Sequence, residues 1–309
     1  MSTSEPIRVY VGADRSQQLA IAVLEYSIKR HTTADVQVIP MVDLPVPQPR
    51  DPRNSQRTGF SFSRFCIPKL AGYRGRAVYM DADMMVFRDI RELWDIPFDG
   101  AKIVIQKEVK FEEETTAKAG APKKRKKQCA VMLLDCGRLD WDVETIVAGL
   151  DAGAYDYEQL MYDLCILPEE EVKYGVPFEW NSLEHWGPET RLLHYTDVAT
   201  QPWTNCSNPL GQIWFDEVAR MLDDGALQWA DLQREIDLGF FRPSLARDIR
   251  FRRRVPKALR GAWDRWNAMR DQAAGYVPHK AVYEAKRERQ KAIRAYEAQH
   301  GVTKAGSTQ

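Results

Sequence analysis

Two carboxylates separated by one residue interrupt an otherwise apolar stretch of the sequence, VYMDADMMVF at 78–87. In an extended chain, side chains two residues apart point to the same side, so Asp81 and Asp83 are expected to project together. Burying carboxylates without a partner is costly, and paired oxygen ligands suit a hard divalent cation such as Mg²⁺ or Mn²⁺. Such a cation would hold a diphosphate and favour its departure. The alternative is an aspartate that only caps a turn after the strand.

The carboxylates lie in a sequence that alternates between predicted strands and helices over roughly its first 200 residues. The segment 76–87 is predicted to be one strand, with Asp81 and Asp83 near its carboxyl end. This alternation predicts an α/β fold with a Rossmann-like, doubly wound and mostly parallel sheet, whose ligand sites lie at the carboxyl ends of strands. Other predicted elements are strands at 7–14, 36–41 and 130–136, and a helix at 16–30 with Ser16 as its N-cap.

The pattern changes after about residue 212, where helical and charged segments replace the alternation. We therefore divide the chain into a catalytic domain at 1–212 and a helical, basic C-terminal extension at 213–309. Residues 242–309 contain 17 Lys and Arg against 6 Asp and Glu, although the whole chain carries no net charge. A basic tail on an acidic body predicts a polyanionic partner for the tail, or docking of the tail on the body.

Two basic segments leave several interpretations open. LARDIRFRRRVPKALRGAWDRW at 245–266 is typical of a segment on an anionic membrane surface, where each basic residue contributes about 1 kcal/mol. It fits a basic helix pair packed on the catalytic body equally well. The run KKRKK at 123–127 fits a solvated loop, a loop that closes over phosphates or, as the third choice, a nucleic-acid patch. We do not expect a nucleic-acid partner.

The composition and the cysteines predict a soluble, cytoplasmic protein, with peripheral contact at the inner face of the membrane as an option. The chain is 44% hydrophobic and 28% charged, and no stretch approaches the about 18 uninterrupted apolar residues that a membrane span needs. The N-terminus, MSTSEPIRVY, lacks the pattern of a secretory signal. The five cysteines form no CxxC pair, which favours reduced thiols over a disulfide framework.

The segment SFSRFCIPKLAGYRGRAVYMDADMMVFRDIRELWDI at 61–96 resembles the central block of the retaining nucleotide-sugar glycosyltransferases of family 8. That block has Ser-Arg-aromatic, Pro-x-Leu, a strand ending in Asp-x-Asp, and a final turn of the form DIxxLW. The resemblance covers about 7–205, patchily outside the block. It implies a GT-A fold, a nucleotide-diphosphate sugar donor, an Mn²⁺ or Mg²⁺ cofactor and retention at the anomeric carbon.

The resemblance also implies roles for individual residues. Asp81 and Asp83 match the metal-binding carboxylates, and His194 in LLHYTDVATQPW matches the third metal ligand. A lone histidine in an apolar strand is otherwise more often a core residue. The residues implied to contact the nucleotide sugar or its metal are Gly12, Ala13, Asp14, Arg64, Asp81, Ala82, Asp83, Gln128, Gln201 and Trp203.

The implied catalytic residues are Arg64, Glu158 and Gln159. Arg64 matches the arginine that reaches toward the donor. Gln159 matches a polar amide near the anomeric carbon, and Glu158 stands where the family has aspartate and could bind hydroxyl groups of the donor sugar. The alternatives are a glutamine on a helix surface and a solvated helix charge.

The late motif departs from the family pattern. Asp197 stands at a glycine position, and Gln201 replaces the lysine that touches the diphosphate. The spacing from His194 to Pro-Trp is one residue longer. The diphosphate would then be neutralised by Arg64 or the run at 123–127, or the donor contacts differ.

The sequence therefore predicts a metal-dependent retaining glycosyltransferase that moves a hexose, with UDP as the expected nucleotide, in a role such as surface polysaccharide synthesis. The acceptor stays open among glycan, lipid-linked, protein and small-molecule hydroxyls. One alternative is a sugar-phosphate nucleotidyltransferase, which should have a Gly-rich loop after the first strand, whereas VGADRSQQ has one glycine. The other is a catalytically silent binding protein for anionic lipid or nucleic acid.

Overall fold

A computed structural model describes residues 5–106 and 127–301 of the chain. Its strands are β1 (Ile7–Gly12), β2 (Val36–Met41), β3 (Arg76–Asp81), β4 (Met84–Val86), β5 (Ile103–Gln106), β6 (Val131–Asp135), β7 (Val172–Val176), β8 (Ser182–Leu183) and β9 (Leu192–His194). Its helices are α1 (Gln18–Arg30), α2 (Ile67–Leu70), α3 (Arg91–Trp94), α4 (Val143–Asp151), α5 (Tyr157–Asp163), α6 (Gly211–Asp223), α7 (Trp229–Asp237), α8 (Leu245–Phe251), α9 (Arg260–Ala273) and α10 (Lys280–His300).

The main sheet has the strand order β2-β1-β3-β6-β5-β7. β1 pairs in parallel with β2 and β3, and β5 pairs in parallel with β7, whereas β6 runs antiparallel to both of its neighbours. A smaller sheet has the order β4-β9-β8. The predicted α/β fold, with a mostly parallel sheet and a helical C-terminal part, is confirmed.

The prediction of a single strand at 76–87 was wrong. The chain bends at Ala82 and Asp83, so that β3 belongs to the main sheet and β4 to the small one. β4 pairs with β9 in the register Met84↔His194, and the amide of Tyr195 donates to the carbonyl of Asp83 at 2.9 Å. The bend therefore lies at the junction of the two sheets, and the second sheet delivers a histidine to it.

Helices α6, α7 and α8 share a core with the body of the protein. Trp214 and Phe215 of α6 are buried in one cluster with Leu19 of α1 and with Trp203. The predicted extension is thus packed directly on the predicted catalytic domain, and the boundary at residue 212 stays a prediction. In α10, by contrast, no side chain is buried; the helix rests on the turn at Pro52–Asn54 through Arg289, which donates to the carbonyl of Arg53 at 2.8 Å.

No helix within the described ranges is long and apolar enough to cross a membrane.

Candidate metal centre and its cavity

Three potential metal ligands meet at the junction of the two sheets. Asp81 ends β3, Asp83 lies in the bend after it, and His194 ends β9. One ligand atom from each lies within 4.8 Å of the others, and His194 Nε2 is 3.0 Å from Asp83 Oδ1. Because two carboxylate oxygens and an imidazole nitrogen are ligands that divalent metals accept in proteins, this group could hold one cation.

The charges of this group perturb one another. Burial raises the pKa of Asp81, an effect that the Arg64 guanidinium opposes and the Asp83 carboxylate reinforces. Burial alone would lower the pKa of His194, but the adjacent Asp83 carboxylate outweighs it, so the pKa of His194 lies above its usual value. Two half-buried carboxylates thus lie beside one imidazole, and a divalent cation bound between them would offset their negative charge.

Arg64 is buried beside the first carboxylate. Its Nη1 donates to the carbonyl of Cys129 at 2.9 Å, and its Nη2 donates to the Tyr79 hydroxyl at 3.1 Å and lies 3.8 Å from Asp81 Oδ1. Tyr79 in turn donates to Asp81 Oδ1 at 2.7 Å. The buried Nε of Arg64 makes no hydrogen bond to any described residue. Tyr79 therefore links the arginine to the carboxylate, a role that sequence reasoning missed.

A cavity opens over this group, and eight of the predicted site residues line it. They are Asp14, Arg64, Asp81, Asp83, Gln128, His194, Gln201 and Trp203. The sequence separations among them show that the fold brings together the turn after β1, the bend after β3, the start of β6 and the turn after β9.

The turn after β1 is held by its own aspartate. The predicted N-cap Ser16 was wrong: Asp14 Oδ1 accepts from the amide of Ser16 at 2.8 Å, and Gln17 Oε1 accepts from the amide of Asp14 at 3.1 Å. This capping box fixes Asp14 at the cavity. Gly12 lies beneath Tyr79, and Ala13 is buried in the core.

The late motif places its amide against the metal-ligand group. Gln201 Nε2 donates to Asp83 Oδ2 and to the carbonyl of Tyr195, both at 2.9 Å. Asp197 is used locally, since its carboxylate accepts from the amide of Ala199 at 3.1 Å and from the Thr200 hydroxyl at 2.8 Å. The residue that replaces a lysine in the resemblance therefore orients a carboxylate.

The remaining predicted residues are not brought into the cavity lining. The Gln159 side chain accepts from the amide of Asp156 at 2.9 Å and closes a capping box at the start of α5. Glu158 is exposed and pairs with Arg57 at 2.9 Å. Ala82 is buried among apolar side chains. The roles assigned to these residues stay predictions.

Of the basic run at 123–127, only Lys127 lies within the described residues. Its Nζ donates to the carbonyl of Asp163 at 2.8 Å and pairs with Glu169 at 2.7 Å. Residues 123–126 lie outside the described part of the chain, so the lid and loop interpretations stay predictions.

Other lining residues come from segments that carried no sequence signal for this site. His279, just before α10, and Val282 within it reach the cavity from the C-terminal extension. His279 Nε2 lies 3.2 Å from Thr204 Oγ1, and burial lowers the pKa of this imidazole. Arg57 lines the cavity beside Tyr157, with its guanidinium carbon 4.6 Å from the ring centroid. The basic extension thus contributes directly to the cavity wall.

The chain is similar to known proteins in sequence and in fold. Residues 12–135 match the sequence family described as Glycosyl transferase family 8. Protein CDI from Arabidopsis thaliana is 28% identical to the chain over 235 residues, which are 70% of this chain and 88% of that protein. The glycosyltransferase GlyE from Streptococcus pneumoniae TIGR4 superposes with a TM-score of 0.51 at 15% identity, over 78% of this chain and 66% of GlyE.

The bifunctional glycosyltransferase WbbM superposes with a TM-score of 0.47 at 13% identity, over 71% of this chain and 50% of WbbM. The chain therefore spans between half and two thirds of these two solved proteins. The family match confirms the resemblance drawn from the sequence block, and the likeness to GlyE confirms the GT-A fold.

Proposed function

We propose that this chain, a glycosyltransferase whose residues 12–135 match family 8, moves a hexose from a nucleotide-diphosphate sugar to an acceptor hydroxyl with retention at the anomeric carbon. UDP is the proposed nucleotide, and Mn²⁺ or Mg²⁺ the proposed cofactor. The observation that carries the proposal is the convergence of Asp81, Asp83 and His194 in the lining of one cavity.

The donor set fits a divalent cation. Two carboxylates with one histidine provide hard oxygen ligands and one borderline nitrogen, and three ligands leave open positions for substrate oxygens. When bound, the cation would neutralise charge on the departing diphosphate. Asp81, Asp83 and His194 would hold it, with Gln201 fixing the orientation of Asp83.

We propose that Arg64 acts on the same leaving group. Its guanidinium lies 3.8 Å from Asp81, and its buried Nε is a donor with no partner among the described residues. A diphosphate at the carboxylates would therefore bring negative charge next to a fixed positive one in a site of low dielectric, where such interactions are strong. Tyr79 keeps Arg64 and Asp81 aligned through its hydroxyl.

Retention by front-face displacement fits the carboxylates of the cavity. Among the described lining residues, Asp14 caps a turn and Asp81 and Asp83 belong to the metal-ligand group. None of them is left over as a covalent nucleophile, which a double displacement would require. We propose instead that the departing phosphate oxygen takes the proton of the acceptor hydroxyl.

We also propose contact with an anionic membrane surface through the segment around α8 and α9. Phe251, Leu259 and Met269 are 45%, 57% and 61% exposed, among exposed basic residues such as Arg253 and Arg254. Apolar side chains beside arginines favour binding to anionic lipid. Sedimentation with vesicles containing phosphatidylserine should retain the protein at low salt, and equal recovery with neutral vesicles would contradict the proposal.

The test of the proposed activity is the release of UDP from UDP-glucose or UDP-galactose in the presence of Mn²⁺. The variant Asp83→Asn should lose about 100-fold or more in rate, because it weakens the metal site at nearly constant shape. The matched control is Asp237→Asn, an isosteric change at an exposed position of α7. Binding of no nucleotide sugar at all would refute the proposal and favour a catalytically silent binding protein.

A further inference from the structure

A chain of buried hydrogen bonds runs away from the metal-ligand group through the back of His194. His194 Nδ1 lies 2.8 Å from Asn181 Oδ1, and Asn181 Nδ2 donates to Gln106 Oε1 at 2.6 Å. The three side chains belong to residues that are 5%, 1% and 3% exposed, in the order His194, Asn181 and Gln106. Water therefore cannot substitute freely for any of these contacts.

The polarity of this chain decides which ring nitrogen faces the cavity. An amide oxygen only accepts hydrogen bonds, so Asn181 Oδ1 requires the proton of the imidazole to be on Nδ1. Nε2, on the opposite side of the ring, then faces Asp83. Gln106 keeps the Asn181 amide from rotating, because its carbonyl oxygen accepts from the Asn181 NH₂ group.

Each member is fixed by a different element. Gln106 ends β5, and His194 ends β9. Asn181 follows a short turn at Phe178–Trp180, and its backbone N–H donates to the carbonyl of Phe178 at 2.9 Å. β8 begins directly after Asn181 and pairs in parallel with β9 in the register Leu183↔His194. These three hydrogen-bonded side chains, which we call the relay, therefore connect the main sheet to the small sheet at His194.

We propose that Asn181 and Gln106 are positioning residues, which hold His194 with its proton on Nδ1 and present Nε2 to the cation shared with Asp81 and Asp83. This inference rests on the proposed function, since it requires that a cation binds there. Mutation of a residue that orients a ligating histidine in this way typically weakens metal binding by about 10–100-fold.

The first experiment measures Mn²⁺ affinity from the electron paramagnetic resonance signal of free Mn²⁺, without substrate or turnover. Asn181→Leu, which removes the acceptor at similar volume, should weaken Mn²⁺ binding by about 10–100-fold. Asn181→Asp keeps an acceptor for Nδ1–H and should stay within about 3-fold of the unaltered protein. A merely structural role predicts the reverse order, because a buried extra charge disturbs packing more than leucine does.

The matched control is Asn267→Leu. Asn267 is also fully buried and hydrogen-bonded at both ends of its amide, to Asp248 and Arg247, but it lies in α9 away from the cavity lining. This variant should lower the melting temperature and leave Mn²⁺ affinity unchanged. Gln106→Met provides a second perturbation of the relay if Asn181→Leu does not fold, and it should weaken Mn²⁺ binding in the same direction.

The second experiment reads the tautomer directly. In long-range ¹H–¹⁵N spectra of the full chain with Mg²⁺, the signal that disappears in His194→Gln should have its proton on Nδ1. A proton on Nε2 would overturn the proposal, and so would Mn²⁺ affinity in folded Asn181→Leu within 2-fold of the unaltered protein. Absence of Mn²⁺ binding by the unaltered protein would refute the metal part of the proposed function, and the relay with it.

Discussion

Gly12 makes room for the hydroxyl group of Tyr79, so its replacement by alanine should destabilise the protein. A Cβ at residue 12 would lie 2.4 Å from the Tyr79 hydroxyl oxygen and 3.0 Å from two of its ring carbons. The ring is fully buried, and its hydroxyl is tied to Asp81 and Arg64. Overpacking of this kind costs about 1–3 kcal/mol. Weakening the buried hydrogen bonds adds to it, so Gly12→Ala should lower the free energy of unfolding by about 2–4 kcal/mol.

A double-mutant cycle isolates the steric part. Tyr79→Phe removes the atom that the new Cβ would meet at 2.4 Å and leaves only the ring contacts at 3.0 Å. Gly12→Ala should therefore cost at least about 1 kcal/mol less in the Tyr79→Phe background than in the unaltered protein. A lower cost in the Tyr79→Phe background is specific to a clash with the hydroxyl. If Gly12 were needed only to let the nucleotide sugar approach closely, the two substitutions would show no coupling in the free protein.

The assay is urea unfolding followed by circular dichroism, without metal or nucleotide sugar. Gly59→Ala is the control, because a Cβ there meets nothing within 4 Å and should change stability by less than about 0.5 kcal/mol. A cost for Gly12→Ala below about 0.5 kcal/mol, or an equal cost in both backgrounds, would refute the packing argument.

Three further predictions concern other parts of the chain. Arg289→Ala should release α10 and speed its cleavage in limited proteolysis, whereas Arg287→Ala, at an exposed position on the same helix, should not; equal rates would contradict the docking. The pKa of Asp89 is lowered from 3.8 to about 2 by its hydrogen bond with the arginine two residues later, so its contribution to stability is complete above pH about 4 and is lost as the pH falls toward 2. Asp89→Asn should flatten the dependence of the unfolding free energy on pH between 4 and 2, and an unchanged slope would count against the assignment. Arg242→Met leaves the fully buried Asp248 carboxylate without its partner at 2.5 Å and should cost about 3–5 kcal/mol, while the double variant with Asp248→Leu should be more stable than the single one.

The sequence predicted the metal-ligand group for a reason that was only partly right. Asp81 and Asp83 were expected to converge because alternate residues of one strand face the same side. The chain in fact bends between them, and they converge because Asp83 is held by the amide of Tyr195 from the second sheet. The interruption of an apolar run was the more reliable indication, because two carboxylates in an apolar segment need a partner in any backbone conformation.

Two capping boxes were recognisable in the sequence, but only one of them holds a residue that lines the cavity. Asp14 and Gln17 form one capping box, and Asp156 and Gln159 form another, both with the D-x-x-Q spacing. The first holds a residue that lines the cavity, and the second occupies the side chain to which the resemblance assigned a role at the anomeric carbon. Spacing alone could have predicted both caps, but it could not predict which of them faces the site.

Neither the relay nor the part of the cavity lining that comes from the C-terminal extension could be predicted from sequence spacing. Gln106 and Asn181 are 75 residues apart, and His279 reaches Thr204 across 75 residues as well. Such contacts depend on how β5, β8 and β9 are ordered in the two sheets and on where α10 packs against the rest of the protein. Neither follows from periodicity, which reports only the faces of single elements.

The most direct test of the account is a crystal of the full chain soaked in Mn²⁺ and measured for anomalous scattering. The proposed metal centre should give one strong peak within about 2.5 Å of a ligand atom from each of Asp81, Asp83 and His194. A peak that excludes His194, or no peak at this junction at Mn²⁺ concentrations that saturate binding in solution, would contradict it.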